Sequence, residues 1–153
     1  MPWVFKTEPA ECSIDDIAAA GQHGVLWEGV RNYQARNFLR DQVHVGDQVV
    51  IHHSSCEHVG VVGLAEVIET HLVDPSQFDA QSLYFDAKAD PNNPRWVAVR
   101  VRHIRSFPHT LSLATLRQYP PLAEMQLLKK GNRLSIMPLT DNELEFILAL
   151  SPQ

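Results

Sequence analysis

The ten residues "RWVAVRVRHI", positions 95–104, place Val97, Val99 and Val101 on one side of an extended chain and Trp96, Ala98, Arg100 and Arg102 on the other. That period of two commits the centre of the chain to a β-strand with one apolar face, and hence to a sheet that covers it. Other segments supply neighbours. "PWVFKTE" alternates Trp3 and Phe5 against Val4 and Lys6. "HVGDQVVIHH" turns through Gly46-Asp47 into a strand, "VGVVGLAEVIETHLV" is long enough to hold a bulge at Gly63, and "NRLSIMPL" reads as a last strand.

Helical signals lie towards the ends. In "SIDDIAAAG", Ser13 is an N-cap, Asp15 and Asp16 suit the positive end of the dipole, and Gly21 is a stop. In "WEGVRNYQARNFL", Ala35, Phe38 and Leu39 form a core stripe, and Tyr33, Asn37 and Arg40 form a polar one. Asn32 caps this helix, which should end near Gln42 and leave Trp27, Val30 and Arg31 in its entry loop. A helix over residues 113–119 follows Ser112 and stops at Pro120-Pro121. Thr140 with Glu143 forms a capping box for a closing helix whose Leu144, Ile147 and Leu148 face the core. Strands in the middle, helices at the ends and no regular βαβ alternation predict an α+β fold with a mixed or closed sheet.

The 153 residues, 44% hydrophobic, fit one domain spanning 1–153. "MPWVFKTEP" is too polar for a signal peptide, and no apolar run approaches the ~20 residues of a membrane helix. A soluble, cytoplasmic protein is expected. Cys12 and Cys56, without CxxC spacing, fit reduced thiols. Residues 74–94, rich in Asp, Asn and Pro, form a loop of a length that is more often functional or mobile than decorative.

A formal charge of −5 disfavours coating nucleic acid by bulk electrostatics. It leaves room for a local basic site, and the clusters are Arg31, Arg36 and Arg40; Arg95, Arg100, Arg102 and Arg105; and Lys129, Lys130 and Arg133. Each cluster alone reads more simply as a solvated face. His53, Cys56 and His58 are the tightest group of metal-ligating types, but no second pair stands at zinc-like spacing, so no metal is expected. Cys56 or Ser54 beside a histidine could make a hydrolase, yet there is no nucleophile elbow, Walker A sequence or GxGxxG, and adjacency in sequence is weak evidence for a triad. The tryptophans say more. Trp3, Trp27 and Trp96 each stand beside polar or basic residues; alone each reads as core, but with Arg31, Asn32, Tyr33, Ser54 and Ser135 they suit a concave site for a flat, hydrogen-bonding ligand.

Seven stretches in order, "WVFKTEP", "LWEGVRNYQARNFL", "VGDQVVIHHSSC", "VGVVGLAEV", "DPSQFD", "NPRWVAVRV" and "GNRLSIMPL", resemble the EVE domain family of the PUA-like superfamily over nearly the whole chain. The resemblance implies a strongly curved, barrel-like sheet flanked by short helices. It also implies a pocket, related to that of YTH domains, for bases in DNA or RNA, particularly modified ones such as methylated cytosine or adenine. Carried over motif by motif, the lining would be Lys6, Glu8, Trp27, Val30, Arg31, Asn32, Ser54, Trp96, Leu134 and Ser135. Arg36 and Arg40 would meet the nucleic-acid backbone. Thr7, Glu28, Ser55 and Met137 depart from the family's usual Ser, Asp, Asn and Gln. The function expected is non-enzymatic and cofactor-free: reading a modified base flipped into an aromatic and polar pocket. The alternative is a pocket protein for a free nucleotide or small aromatic metabolite.

Overall fold

The computed structural model describes residues 1–151. They build a six-stranded sheet in the order β2-β5-β4-β3-β1-β6. Its strands are β1 (Trp3–Thr7), β2 (Val25–Trp27), β3 (Gln48–His53), β4 (Gly60–Val73), β5 (Val97–Leu111) and β6 (Ile136–Pro138). β1 and β3 run parallel and the other pairs antiparallel, so the sheet is mixed, and it is open, with β2 and β6 as its edges. Around it lie α1 (Ile14–Ala19), α2 (Tyr33–Asp41), α3 (Leu113–Leu116) and α4 (Asp141–Leu150). The architecture is α+β.

Local chemistry sets the helix starts. Ser13 Oγ accepts from the Asp16 N–H while the Asp16 carboxylate accepts from the Ser13 N–H, and Thr140 and Glu143 make the same reciprocal pair. Asn32 Oδ1 accepts from the Ala35 N–H at 3.0 Å, and Ser112 Oγ from the Thr115 N–H at 3.1 Å. Each cap satisfies first-turn donors that the helix cannot.

The sheet curls. α2 touches β4, β5 and β6, yet three strands separate β5 from β6. On a flat sheet that gap would be ~19 Å at the usual spacing, wider than a helix of ~10–12 Å. Contact with both therefore requires the sheet to wrap around α2. Alternation along β1 sends Trp3 and Phe5 into the core under α1 and α2, with Ile17 and Leu39, and Val4 into a second core with Leu116, Leu122 and Ile147. Both faces of the strand are buried.

Several boundaries differ from those read in the sequence. Trp27 ends the edge strand β2, opposite Val99, and does not lie in a loop; three residues are too few to show a period, and only the pairing with β5 makes them a strand. β5 continues through Pro108 to Leu111. β2 opposes only residues 99–101, so the distal half of β5 is paired with β4 alone, and a proline is tolerated at such an edge. α3 ends at Leu116, ahead of a 3-10 turn at Pro120–Leu122, and β6 keeps only Ile136–Pro138. The bulge expected at Gly63 is present, as a register shift between Val61 and Gly63 against β5.

His52, opposite Lys6 in the β1–β3 pair, is 2% exposed, and neither ring nitrogen has a hydrogen-bond partner. Burial, with Lys6 and His53 adding, pushes its pKa down to about 4 from 6.5. Between those values the unfolded chain binds more protons than the folded one, so stability rises with pH. We expect stability to fall by about 2–3 kcal/mol as pH drops from about 6.5 to about 4, measured by urea unfolding. His52→Leu should flatten that slope; an unchanged slope would assign it to other groups.

Candidate functional site

Where β1 ends, its neighbours hold it on both sides. The Lys6 N–H donates to Ser135 O at 2.8 Å and the Ser54 N–H to Thr7 O at 2.9 Å. Side chains from β1 and from the residues beside β3 and β6 thus meet at one end of the sheet, and the opposite edge, β2, delivers Leu26 and Trp27 to the same place. The space between is a cavity of about 730 Å³. Lys6, Glu8, Trp27, Val30, Ser54 and Ser135 line it, as do Thr7, Glu11, Cys12 and Glu28. Gly29, Ser82, Leu83, Tyr84 and Arg133 complete the wall.

Trp27 packs its ring against Phe5 at 5.3 Å. The indole N–H groups of Trp3 and Trp96 donate to Asp47 at 2.9 Å and Asp86 at 2.8 Å. Among the described residues, Trp27 Nε1 has no such acceptor. The residue, 6% exposed, lines the cavity. Burial lowers the pKa of Lys6. Burial also raises Glu28, with the Asp74 charge adding and Arg31 opposing. The cavity therefore carries an ammonium, carboxylates and hydroxyls in an environment drier than bulk water.

Arg31, Asn32, Trp96 and Leu134 lie outside the lining. Asn32 is the α2 cap, and Leu134 packs against the second core. Arg31 is a clamp. It makes five hydrogen bonds: Nε and Nη2 to Tyr84 O at 3.0 and 2.7 Å, Nη2 to Ser76 Oγ at 3.0 Å, and Nη1 to Val30 O and Asp74 Oδ2, each at 2.9 Å. Its guanidinium also lies 5.1 Å from the Trp96 ring and 5.7 Å from that of Tyr84. Five N–H donors are all that the group has. None is left for a ligand.

Asp74 is fully buried and accepts from the Gly29 N–H at 2.7 Å as well as from Arg31 and Ser76. Burial pushes its carboxyl up, but these hydrogen bonds outweigh it and hold the pKa below the ordinary value. Gln77, also buried, donates to Asp74 O and Trp96 O and accepts from the Trp96 N–H. Residues 74–77 and Tyr84 are thereby fixed, and Ser82, Leu83 and Tyr84 are held at the cavity wall. Tyr84 rests on Gly29, where a Cβ would stand 2.8 Å from the ring, and its hydroxyl donates to Glu11 at 2.6 and 2.8 Å. Burial and that carboxylate push Tyr84 up to about 12.

Sequence reasoning missed Tyr84, Leu83 and Glu11. The long non-repetitive loop was the available signal. Of the expected backbone contacts, Arg40 spends its fork on Asp41 at 2.8 and 2.9 Å. Arg36 donates to the neutral Asn37 Oδ1 and Arg95 O and lies 4.8 Å from the centre of the Tyr33 ring, with no carboxylate partner among the described residues. Arg133, at the cavity wall, has no protein partner among the described residues, and no group of three or more His, Cys, Asp or Glu among them is placed to hold a metal ion.

A mixed sheet curled around one helix, with a polar and aromatic cavity where its two edges approach, defines a PUA-like domain. The family model for the EVE domain matches residues 2–150, and the chain belongs to that family. Thymocyte nuclear protein 1 of Danio rerio is 36% identical over 97% of this chain and 71% of its own length, and the human protein 34% identical over 97% and 72%. A crystal structure from Pseudomonas putida superposes with a TM-score of 0.92 at 44% identity, covering 98% of this chain and 99% of that one. Human thymocyte nuclear protein 1 (THYN1) in complex with 5-methylcytosine-containing DNA superposes with a TM-score of 0.90 at 34% identity, covering 99% and 97%.

The clamp yields a test. Arg31→Ala leaves the Asp74 carboxylate buried without its cation, so urea unfolding should show a loss of about 3 kcal/mol. Arg31→Lys should recover only part of it, since a point charge cannot hold Tyr84 O, Ser76 and Asp74 together. A loss below about 1 kcal/mol in the alanine variant would mean that the clamp is not what holds the segment.

Proposed function

We propose that residues 1–153 act as a single EVE domain that reads a modified nucleobase in DNA or RNA, without catalysis or cofactor, by taking the flipped base into the cavity. The observation that carries this reading is the donor and acceptor pattern around one indole wall. Trp27, largely buried against Phe5, brings an indole to the wall with an N–H that has no acceptor among the described residues; Lys6 donates; Glu8 and Glu28 accept, Glu11 being engaged by Tyr84; Ser54 and Ser135 do either. A cytosine edge presents an N4 donor beside N3 and O2 acceptors, which matches carboxylates set beside an ammonium and an indole N–H. The volume falls within the range usual for small-ligand pockets. The DNA complex of human THYN1 supports 5-methylcytosine as the first base to test.

Binding without turnover is favoured by the state of the available nucleophiles. Burial pushes the Cys12 thiol up, with Asp16 and Glu11 adding, so it stays protonated and weakly nucleophilic. His53 Nε2 accepts from the Ile14 N–H at 3.1 Å and is not free to serve Ser54 as a base. The polymer's phosphates would fall to Arg133 and to Lys129 and Lys130 a few residues before it, with Arg36 contributing; Arg40, neutralised by Asp41, contributes least. Two free cysteines fit a reducing, cytoplasmic setting, and no helix among the described residues is long and apolar enough to cross a membrane.

Two measurements test the reading. Trp27→Phe keeps an aromatic ring against Phe5 and removes the indole N–H; it should weaken binding of a 5-methylcytosine oligonucleotide about tenfold. Equal affinity for modified and unmodified strands in the unaltered protein would sink the reader function. In a salt titration, Arg133→Gln should flatten the slope for an oligonucleotide by about one unit or less, and Arg40→Gln should leave it unchanged. Tight binding of the free nucleoside with no salt dependence for the oligonucleotide would favour the free-nucleotide reading instead.

A further inference from the structure

Leu83 is 90% exposed, the most exposed large apolar side chain of the described residues, and it stands on the wall of the cavity. An unsupported leucine would be expected to fold back and shed water-exposed surface. This one is held out by its neighbours. Ser82 Oγ accepts from the Tyr84 N–H at 3.0 Å, and Ser82 O accepts from the Phe85 N–H at 3.2 Å, closing a turn with Leu83 at its tip. Tyr84 is then fixed by Arg31 through its carbonyl, by Glu11 through its hydroxyl and by Gly29 under its ring. The turn is rigidly braced against the fold, and its apolar tip projects at the cavity mouth.

We propose that Leu83 is a wedge that enters the base stack of a double helix at the step from which a base has been extruded into the cavity. The inference rests on the base-reading function above and adds duplex as the form of nucleic acid for which this mouth is built. Extruding a base from a duplex leaves a gap and costs unstacking, and an apolar side chain presented on a preorganised support fills such a gap. A single strand has no gap to fill. Leu83 should therefore matter far more for duplex than for single strand or free nucleoside. Phe78 and Phe85 are also partly exposed on the same segment but do not line the cavity, so they are not placed to act at the extruded step.

The test compares a duplex carrying one 5-methylcytosine with the same modified strand alone, each bound by unaltered protein, Leu83→Ala and Leu83→Phe. Leu83 carries no packing load, so the variants should fold, and matching thermal unfolding checks this. Leu83→Ala should weaken duplex binding about tenfold more than it weakens single-strand binding, the effect of losing a leucine side chain that is largely buried only in the duplex complex. Leu83→Phe, which can still fill the step, should retain duplex binding within about threefold. With 2-aminopurine beside the modified cytosine, the fluorescence rise on binding should shrink in the alanine variant. Equal losses for duplex and single strand would make Leu83 a pocket contact and overturn the wedge; no loss for either would overturn it too. Those outcomes leave the reader function standing provided the unaltered protein still prefers the methylated strand, whereas absence of that preference would remove both.

Discussion

One ion pair holds the cavity's mouth in place. Arg31, at the entry to α2, and Asp74, at the end of β4, are more than forty residues apart, and their contact joins the segment 74–94 to the start of the helix. A buried pair of this kind adds little stability over apolar packing, but it is costly to break and strict in geometry. The strictness is what the site uses. Every donor of the guanidinium and both carboxylate oxygens are engaged, so Tyr84, Ser76, Gly29 and Trp96 are located relative to one another through a single planar group.

The curl of the sheet is the second constraint. Because β2 and β6 remain unpaired edges while α2 fills the concave side, the end of β1, the last residue of β2 and the residues before β6 converge without closing a barrel. The open seam leaves room for a ligand where a closed barrel would have placed a strand pair. The cavity wall carries charges of both signs: Glu8, Glu11 and Glu28 with Lys6 and Arg133, and Lys129 and Lys130 lie a few residues before Arg133 in the chain. A local excess of one charge type at a cavity wall does not follow the sign of the whole chain, so the net charge of −5 says little about what such a cavity accepts.

The three tryptophans show how far a sequence can be read for a site. All three stand among polar residues in the sequence, and a shared binding surface is a reasonable expectation from that. In the fold, Trp3 and Trp96 give their indole N–H groups to buried or half-buried carboxylates, and Trp96 stacks on Tyr33 at 5.0 Å. Their polar neighbours satisfy them structurally. Trp27 alone faces the cavity. Nothing in the local sequence distinguishes the three, because the distinguishing partners, Asp47 and Asp86, lie ten to more than forty residues away.

What the sequence determined by itself is what depends on neighbours within a few residues. The caps at Ser13, Asn32, Ser112 and Thr140, the alternation of β1 and β5 and the bulge at Gly63 all follow from short-range stereochemistry and from side chains that pack or bond within one turn or one pleat. The ordered motifs also carry the family. Tertiary structure alone decided that "VLW" is a strand, that Arg31 is a clamp with no donor to spare, and that Tyr84 and Leu83 close the mouth of the cavity. Each of those depends on a partner brought near by the curl of the sheet or by the Arg31–Asp74 contact, and a hydrogen bond or a pairing edge has no signature in either sequence segment until the other is beside it.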